Sequence, residues 1–483
     1  MRKLISLLLA VSLLLSLGFL IPASAEEYVK LTWAQGTGGD APVDNAMVLE
    51  RLNEITRKEL GVEVDIQYFK NDQLTTNTLA GEVYDMYFTC GWFFDYVTNT
   101  RDGLFADITE AVQTVTPDLY ATLTEDVWEL SKVGGRIYMI PVAKDIGYQC
   151  YFTYNKDFYD SIGMTWPEKV TKFDEITPYL KAYAEAKPGE YPFMFSKQPA
   201  GIGAADLFIG MGHQLGININ NLEAGIHCIY EDEQYLERCA TVHEWMKAGY
   251  VNPDAATASS VDSKHDHVKI EAAWDGYDFS PSYGYTAGMC KIGDVYLSAS
   301  SVRVGNTFSA ALEEDPERLA LALKYQEFLN TNKEYRDILR FGIEGVHFNY
   351  REEDGAVIRT EQGTLNYSPW AFAQGSYVIS SIETSEGVPI VADQWEKAYA
   401  SYATAKVAPD YGFAFDNDSV ENLTTELDVI NAKYTDLIAS GTVETYENAK
   451  KCLEEMEAAG LREVQAEMQR QYDEFIAGLN KES

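Results

Sequence analysis

Apolar and polar residues alternate from Tyr28 to Trp33 and again at Val62, Val64, Ile66 and Tyr68, the period of two that a half-buried strand needs. Between the two runs apolar residues recur at Met47, Leu52, Ile55 and Leu60, just before Gly61. That spacing predicts a helix opened by Asp44 as cap and closed by a glycine in the left-handed conformation. Strand, helix and strand over this length imply a parallel pair joined by a crossover. A second short helix, Asp72 to Ala80, leads through Gly81 into a strand at Tyr84 to Cys90, so the first block reads as an open α/β sheet.

Helical segments follow from Asp107 to Ser131, and Gly134-Gly135 turns the chain into two extended runs, Arg136 to Ile140 and Tyr148 to Tyr154, with no helix between them. The two runs are either a bridge between blocks or a hairpin at a sheet edge. A second alternating block then predicts a helix over Thr171 to Ala186, a strand at Pro192 to Ser196, a small-residue helix near Ala204 to Met211, and a helix through Glu231 to Ala248 stopped by Gly249. Lys269 to Ala273 reads as another strand. Val295 to Ala311 is extended and fits a second return between blocks, after which Asp315-Pro316 starts a helix that runs to Asn330. The C-terminus predicts three helices, each with one apolar face: a stripe of Leu423, Leu427, Ile430, Tyr434 and Leu437 ending at Gly441, a second helix ending at Gly460, and a third with Val464, Met468 and Tyr472.

At 483 residues the chain exceeds the size at which one core stops growing, so two lobes are expected. Arg2 and Lys3, an apolar run to Ile21 and the small-residue site Ala23-Ser24-Ala25 read as an export signal cleaved before Glu26. The formal net charge of −37 is spread along the chain, which argues against nucleic acid as a partner and describes a well-solvated surface. Six cysteines show neither C-x-x-C nor zinc-like spacing, and export permits disulfides without assigning any.

Chemistry enters with the aromatic residues. Trp92, Phe93, Phe94 and Tyr96 surround Asp95 directly after a predicted strand, and Trp274, Asp275 and Tyr277 follow another. Ligands of open α/β sheets bind at such strand ends, so two clusters on two lobes would face one cleft. No phosphate loop, nucleophile elbow, zinc-protease helix or dinucleotide fingerprint occurs. His265 and His267, with Asp262 and Asp266, read as a solvated turn rather than a metal site, and no cofactor or metal is expected.

The motif Gly342-Ile343-Glu344-Gly345-Val346-His347, with Ala80 to Asp85, Gly135 to Pro141, Pro369-Trp370, Tyr411 to Asp416 and the closing Ala459 to Gln471 stretch, resembles the family 1 extracellular solute-binding proteins of ABC transporters, in the large lipoprotein-type branch with a C-terminal domain of unknown function. The resemblance implies a two-lobed periplasmic-binding-protein-like fold of type II, each lobe an open, mainly parallel sheet flanked by helices, with added C-terminal helices. It implies a monomer that holds a sugar or oligosaccharide between its lobes and delivers it to ABC transporter permease subunits at the outer face of the membrane. The expected division is 1–25 signal, 26–143 first lobe, 144–302 second lobe, 303–365 return to the first, and 366–483 completion of the second with the C-terminal helices. Sugar faces stack on aromatics and their hydroxyls need polar partners, so the candidate ligand residues are Trp92, Phe94, Asp95, Tyr148, Trp274, Asp275, Tyr277, Arg303, Asn306, Glu344 and Trp370. Members of that family usually carry a lipid-modified cysteine just after the signal; the first cysteine here is Cys90, so an unlipidated product is expected. The competing reading is a secreted glycan-degrading enzyme that uses a carboxylate pair.

Overall fold

The computed structural model describes residues 28–197, 207–262 and 265–482; the export signal lies outside them. A first sheet runs in the order Val62–Phe69, Val29–Gly36, Met86–Thr89, Gly305–Phe308, Met139–Pro141. Its first three strands are parallel, as the crossover helix Asn45–Leu60 requires, and Gly305–Phe308 runs against both of its neighbours. The alternation that predicts the first strand is the one that buries it, with Leu31 and Trp33 fully enclosed. Gly61 ends the helix at φ 69°, as expected. Asp44 makes no cap bond. Its carboxylate instead accepts from Gln362 Nε2 at 2.8 Å and lies 3.1 Å from His347 Nε2.

The second sheet has the order Lys269–Ala272, Gly147–Asn155, Ala287–Leu297, Lys406–Val407. Expected to be mainly parallel, it is antiparallel along its central strands, and only the short Lys406–Val407 and Lys169–Val170 strands run parallel to Ala287–Leu297. Alternation marks which residues form a strand but carries no direction. The central strand is the one arriving from the first lobe, and it runs against both neighbours. Two further expectations change here. Pro192 to Ser196 forms no strand, only a bridge at Phe193, and Phe208–Gly212 is a strand where a helix was expected, the start of that stretch lying outside the described residues.

Met139–Pro141 and Gly147–Asn155 belong to different sheets and do not pair, so residues 142–146 are a bridge between lobes rather than a hairpin. A second crossing is 298–304, between Ala287–Leu297 and Gly305–Phe308. The third lies between the helix Gln394–Tyr402, whose Ala398 and Tyr402 pack in the first core, and Lys406–Val407 in the second sheet. The stretch 366–402, assigned to the second lobe by the expected division, therefore packs on the first: Trp370, Phe372 and Ala373 sit with Phe88 and Phe93. Helices Glu421–Ala439, Thr445–Ala458 and Leu461–Glu482 extend the second core through Leu427, Ile430, Met456, Val464 and Met468. All six cysteines are buried free thiols.

Candidate functional site

A cavity of about 710 Å³ lies where the crossings meet. One wall comes from the first lobe. Trp92 follows the end of Met86–Thr89 and keeps 60% of its surface exposed. Its ring meets Trp370 edge-on at 5.4 Å and Phe372 at 5.9 Å, and Trp370 and Phe372 stack at 5.4 Å. Trp92 and Phe372 line the cavity; Trp370 backs them and lines a separate hollow beside Gly38 and Asp40. The cavity is also lined by Trp274 and Tyr277, which follow the strand Lys269–Ala272 of the second sheet and whose rings are 4.5 Å apart, with Trp274 stacked on Trp395 at 4.9 Å and 12°. Lys144 and Asp145 enter from the first crossing.

The third side is the segment 377–395, tied down by the helix Lys333–Phe341. Arg336, fully buried, donates to the carbonyls of Ser376, Ala371 and Gly375, which fixes the turn that carries Phe372. Burial, with the neighbouring Arg340 charge, lowers its pKa to about 9, so the carbonyls only partly replace the water it has lost. Asp337 accepts from Ser381 N and Ser381 Oγ, both at 2.7 Å. Tyr277 and Tyr377 line the cavity, and burial raises the pKa of both phenols further above 10, so each is a neutral hydroxyl there.

Of the expected ligand residues, the structure brings Trp92, Trp274 and Tyr277 to one cavity, with Trp370 directly behind. The others go elsewhere. Phe94 is buried at φ 44°, stacked on Tyr87 at 5.4 Å within the first lobe, because its backbone turns inward to close the strand end. Asp95 caps the helix Tyr96–Arg101 by accepting from Thr98 N at 2.7 Å. Asp275 accepts from Tyr151 Oη at 2.9 Å and pairs with Lys291 Nζ at 2.7 Å. Arg303 is buried and donates to the carbonyls of Leu130, Gly412 and Lys132, so it joins elements rather than holding a ligand. Asn306 is buried with its carbonyl accepting from Trp33 Nε1 at 3.0 Å. Glu344 is exposed in a turn away from the cavity. Tyr148 stands opposite Tyr296 in the second sheet, and its side chain lies outside the described ones.

The turn at Gly342 explains why a ligand residue was sought there. Gly342 has φ +95°, and a Cβ on it would lie 2.5 Å from His347 Nδ1, the atom that accepts from Ile343 N. The motif is a backbone lock. The expected solvated turn at His265 to His267 is also corrected: His267 is fully buried, and neither ring nitrogen has a partner among the described residues. Glu190, His265 and Asp266 do approach one another within 4.8 Å, but Lys187 already pairs with Asp266.

Sequence reasoning missed Arg340, Phe372, Tyr377 and Trp395. The stretch from Tyr377 to Trp395 mixes small polar and aliphatic residues, with aromatics at its two ends alone; it has no period and gave no signal beyond that of a loop.

Residues 409–477 match the family described as Domain of unknown function (DUF3502). The chain is 25% identical over 454 residues, 91% of its length and 89% of the other's, to a carbohydrate ABC transporter substrate-binding protein of Streptococcus pneumoniae serotype 4. The N-glycan transport solute binding protein NgtS of Streptococcus pneumoniae has the same fold, with a TM-score of 0.81, 24% identity, and 93% of this chain and 99% of that one covered. The same protein in complex with Man5GlcNAc superposes with a TM-score of 0.70 at equal identity and coverage. The two-lobed α/β architecture is thus that of solute-binding proteins.

Proposed function

We propose that this is an exported binding protein that captures a sugar or oligosaccharide between its lobes and hands it to the permease of an ABC transporter. The observation that carries the reading is the cavity itself: indole and phenyl faces from both lobes, Trp92 and Phe372 against Trp274 and Tyr277, bound one space beside the crossings. A sugar ring offers apolar faces to such walls and hydroxyls to the neutral phenols and serines between them. Its volume lies within the roughly 300–1,000 Å³ of small-molecule sites. The similar proteins named above, one called a carbohydrate transporter component and one solved with Man5GlcNAc, support the same class of ligand.

Binding rather than catalysis fits the carboxylates present. Asp145 lies 3.6 Å from Lys144 Nζ, Glu383 pairs with Arg359 at 2.9 Å and Asp278 accepts from Ser280 N at 2.8 Å, so each is engaged. Export rests on the N-terminal signal, with cleavage after Ala25, no acyl chain and a monomeric product. No helix among the described residues is long and apolar enough to cross a membrane.

Thermal melts of the mature protein against a panel of mannose-rich, N-acetylglucosamine-containing, fructan and uronate oligosaccharides test the reading. A ligand at 100 times its Kd stabilises the folded state by about 2.7 kcal/mol. Release of shorter glycans without stabilisation would favour the glycan-degrading enzyme instead, and no response to any member would remove the carbohydrate reading.

A further inference from the structure

We propose that Arg340 is the specificity-determining residue of the cleft, donating its planar guanidinium to a pair of oxygens on the bound sugar; this rests on the carbohydrate reading above. Arg340 occupies the last turn of the helix Lys333–Phe341, one turn after Arg336, and lines the cavity. Its guanidinium lies over the Tyr377 ring at 4.5 Å and the Phe341 ring at 4.6 Å. Nη1 donates to Ser380 Oγ at 2.5 Å and, more weakly, to the Ser381 carbonyl at 3.4 Å. Two aromatic contacts and one strong hydrogen bond fix the plane of the group.

What is missing is a partner for the rest of it. Arg336 beside it has each of its three guanidinium nitrogens bonded to a backbone carbonyl or to Gln374. Arg340 has no carboxylate within 4 Å among the described residues, and Nε and Nη2 have no acceptor there. Neither nitrogen is closed off from solvent, since neither is among the enclosed atoms that lack a bond. A cation drawn out of bulk water without a partner is costly. Burial does disfavour its charged form.

The other charges at the cavity do not supply the counter-group. Lys144 is met by Asp145, through the carbonyl at 2.8 Å and the carboxylate at 3.6 Å. Glu383 is held by Arg359, and Asp278 by the backbone of Ser280. Among the described residues that line the cleft, Arg340 is the cation without an ion-pair partner, and its Nε–Nη2 edge presents two parallel N–H donors. That edge fits two oxygens side by side, either adjacent hydroxyls of a neutral sugar ring or the carboxylate of an acidic one.

The test compares the parent protein with Arg340→Lys and Ser380→Ala by calorimetric titration of Man5GlcNAc and of a galacturonate oligosaccharide, with thermal melts of each variant. Lysine keeps the charge and loses the fork. Arg340→Lys is expected to weaken the probe that the parent binds by about ten- to a hundredfold while the protein still melts cooperatively. Ser380→Ala, which only loosens the group, is expected to weaken it several-fold. A loss confined to Man5GlcNAc and indifferent to salt assigns the hydroxyl pair; a loss confined to the galacturonate, with affinity falling as salt rises, assigns the carboxylate. Parent-like affinity in Arg340→Lys, or in Ser380→Ala should the lysine variant not fold, overturns the assignment of Arg340 alone. A parent that binds neither probe nor any of the wider panel overturns the carbohydrate reading and this inference with it.

Discussion

Trp92 and Trp370 touch each other, yet truncating them should have different consequences. Trp92 keeps 60% of its surface exposed. A tryptophan offers up to roughly 250 Å², so its covered part is on the order of 100 Å², about 2.5 kcal/mol at 25 cal/mol per Å² and less once the partly collapsed unfolded chain is counted. The exposed part, on the order of 150 Å², is what a sugar can cover. Association and ordering costs consume part of that gain, leaving the about 1–3 kcal/mol usual for an aromatic contact, or roughly 5- to 150-fold in Kd. Trp370 lies flush on the Gly36–Gly38 backbone: a Cβ on Gly36 would come within 2.8 Å of its Cζ3. It also meets Phe93 at 5.8 Å and stacks on Phe372. Its removal takes away the packing under Trp92 and Phe372, and because the ring is half-buried Trp370→Ala should cost about 3 kcal/mol, the low end for a packed tryptophan. Urea titrations give the two stabilities, and calorimetry with a glycan that stabilises the parent gives the affinities. If Trp92→Ala unfolds as readily as Trp370→Ala, or binds the glycan as the parent does, the indole is part of the core and the assignment of the wall is wrong.

Three further outcomes are expected. Burial lowers the His267 pKa from its ordinary 6.5 to about 3, so the unfolded chain takes up this proton first: the contribution, up to about 5 kcal/mol at about 1.4 kcal/mol per pH unit, is complete above pH 6.5 and is lost as pH falls toward 3. Unfolding free energies from urea titrations at pH 7 and 4.5 should differ by about 3 kcal/mol less in His267→Phe than in the parent, and an unchanged pH slope in that variant refutes the reasoning. Arg303→Met strands the carbonyls of Leu130, Lys132 and Gly412 and should lower stability by about 3–5 kcal/mol without changing glycan affinity per folded molecule; the reverse pattern in melts and titrations would return Arg303 to the binding site. Ligand touching both walls favours the closed arrangement of the lobes about residues 142–146 and 298–304, so small-angle scattering at saturation should show a smaller radius of gyration, and an identical curve would exclude a two-lobe clasp.

What the sequence made legible is what is local. Alternation in Val29–Gly36 and Val62–Phe69, the glycine stop at Gly61, and the aromatic run after Met86–Thr89 each depend on neighbours within a few residues, and each appears in the structure where the pattern put it. The direction of Gly147–Asn155 against its neighbours does not, because either direction buries the same alternating face. Trp92, Trp274 and Tyr277, read from their places after strands, do line one cavity, while Phe93, Phe94 and Tyr96 of the same aromatic run pack into the core. The polar candidates fared differently for a physical reason: a carboxylate or guanidinium that could bind a sugar serves equally well as a helix cap, a salt-bridge partner or a donor to stray carbonyls. Asp95, Asp275, Arg303 and Asn306 were claimed by such bonds.

The family-like motif at Gly342 to His347 shows the same ambiguity from the other side. Its sequence is distinctive because several contacts constrain it at once: a positive φ at Gly342, the His347 ring that excludes any side chain there, and the reach of that ring to Asp44 at the start of the first helix. Those contacts are architectural, so Glu344 between them is free to point to solvent. Arg340, two residues before Gly342, had the opposite signature. Nothing local distinguishes it from Arg336, and both face the segment 371–381 from one side of the same helix. They differ only in what that segment offers each of them, four acceptors to the first and a single strong one to the second. That difference exists only after the chain has folded 40 residues back on itself. The arginine with a free edge at the cavity is therefore a property of the tertiary contact, which no local pattern in the sequence announces.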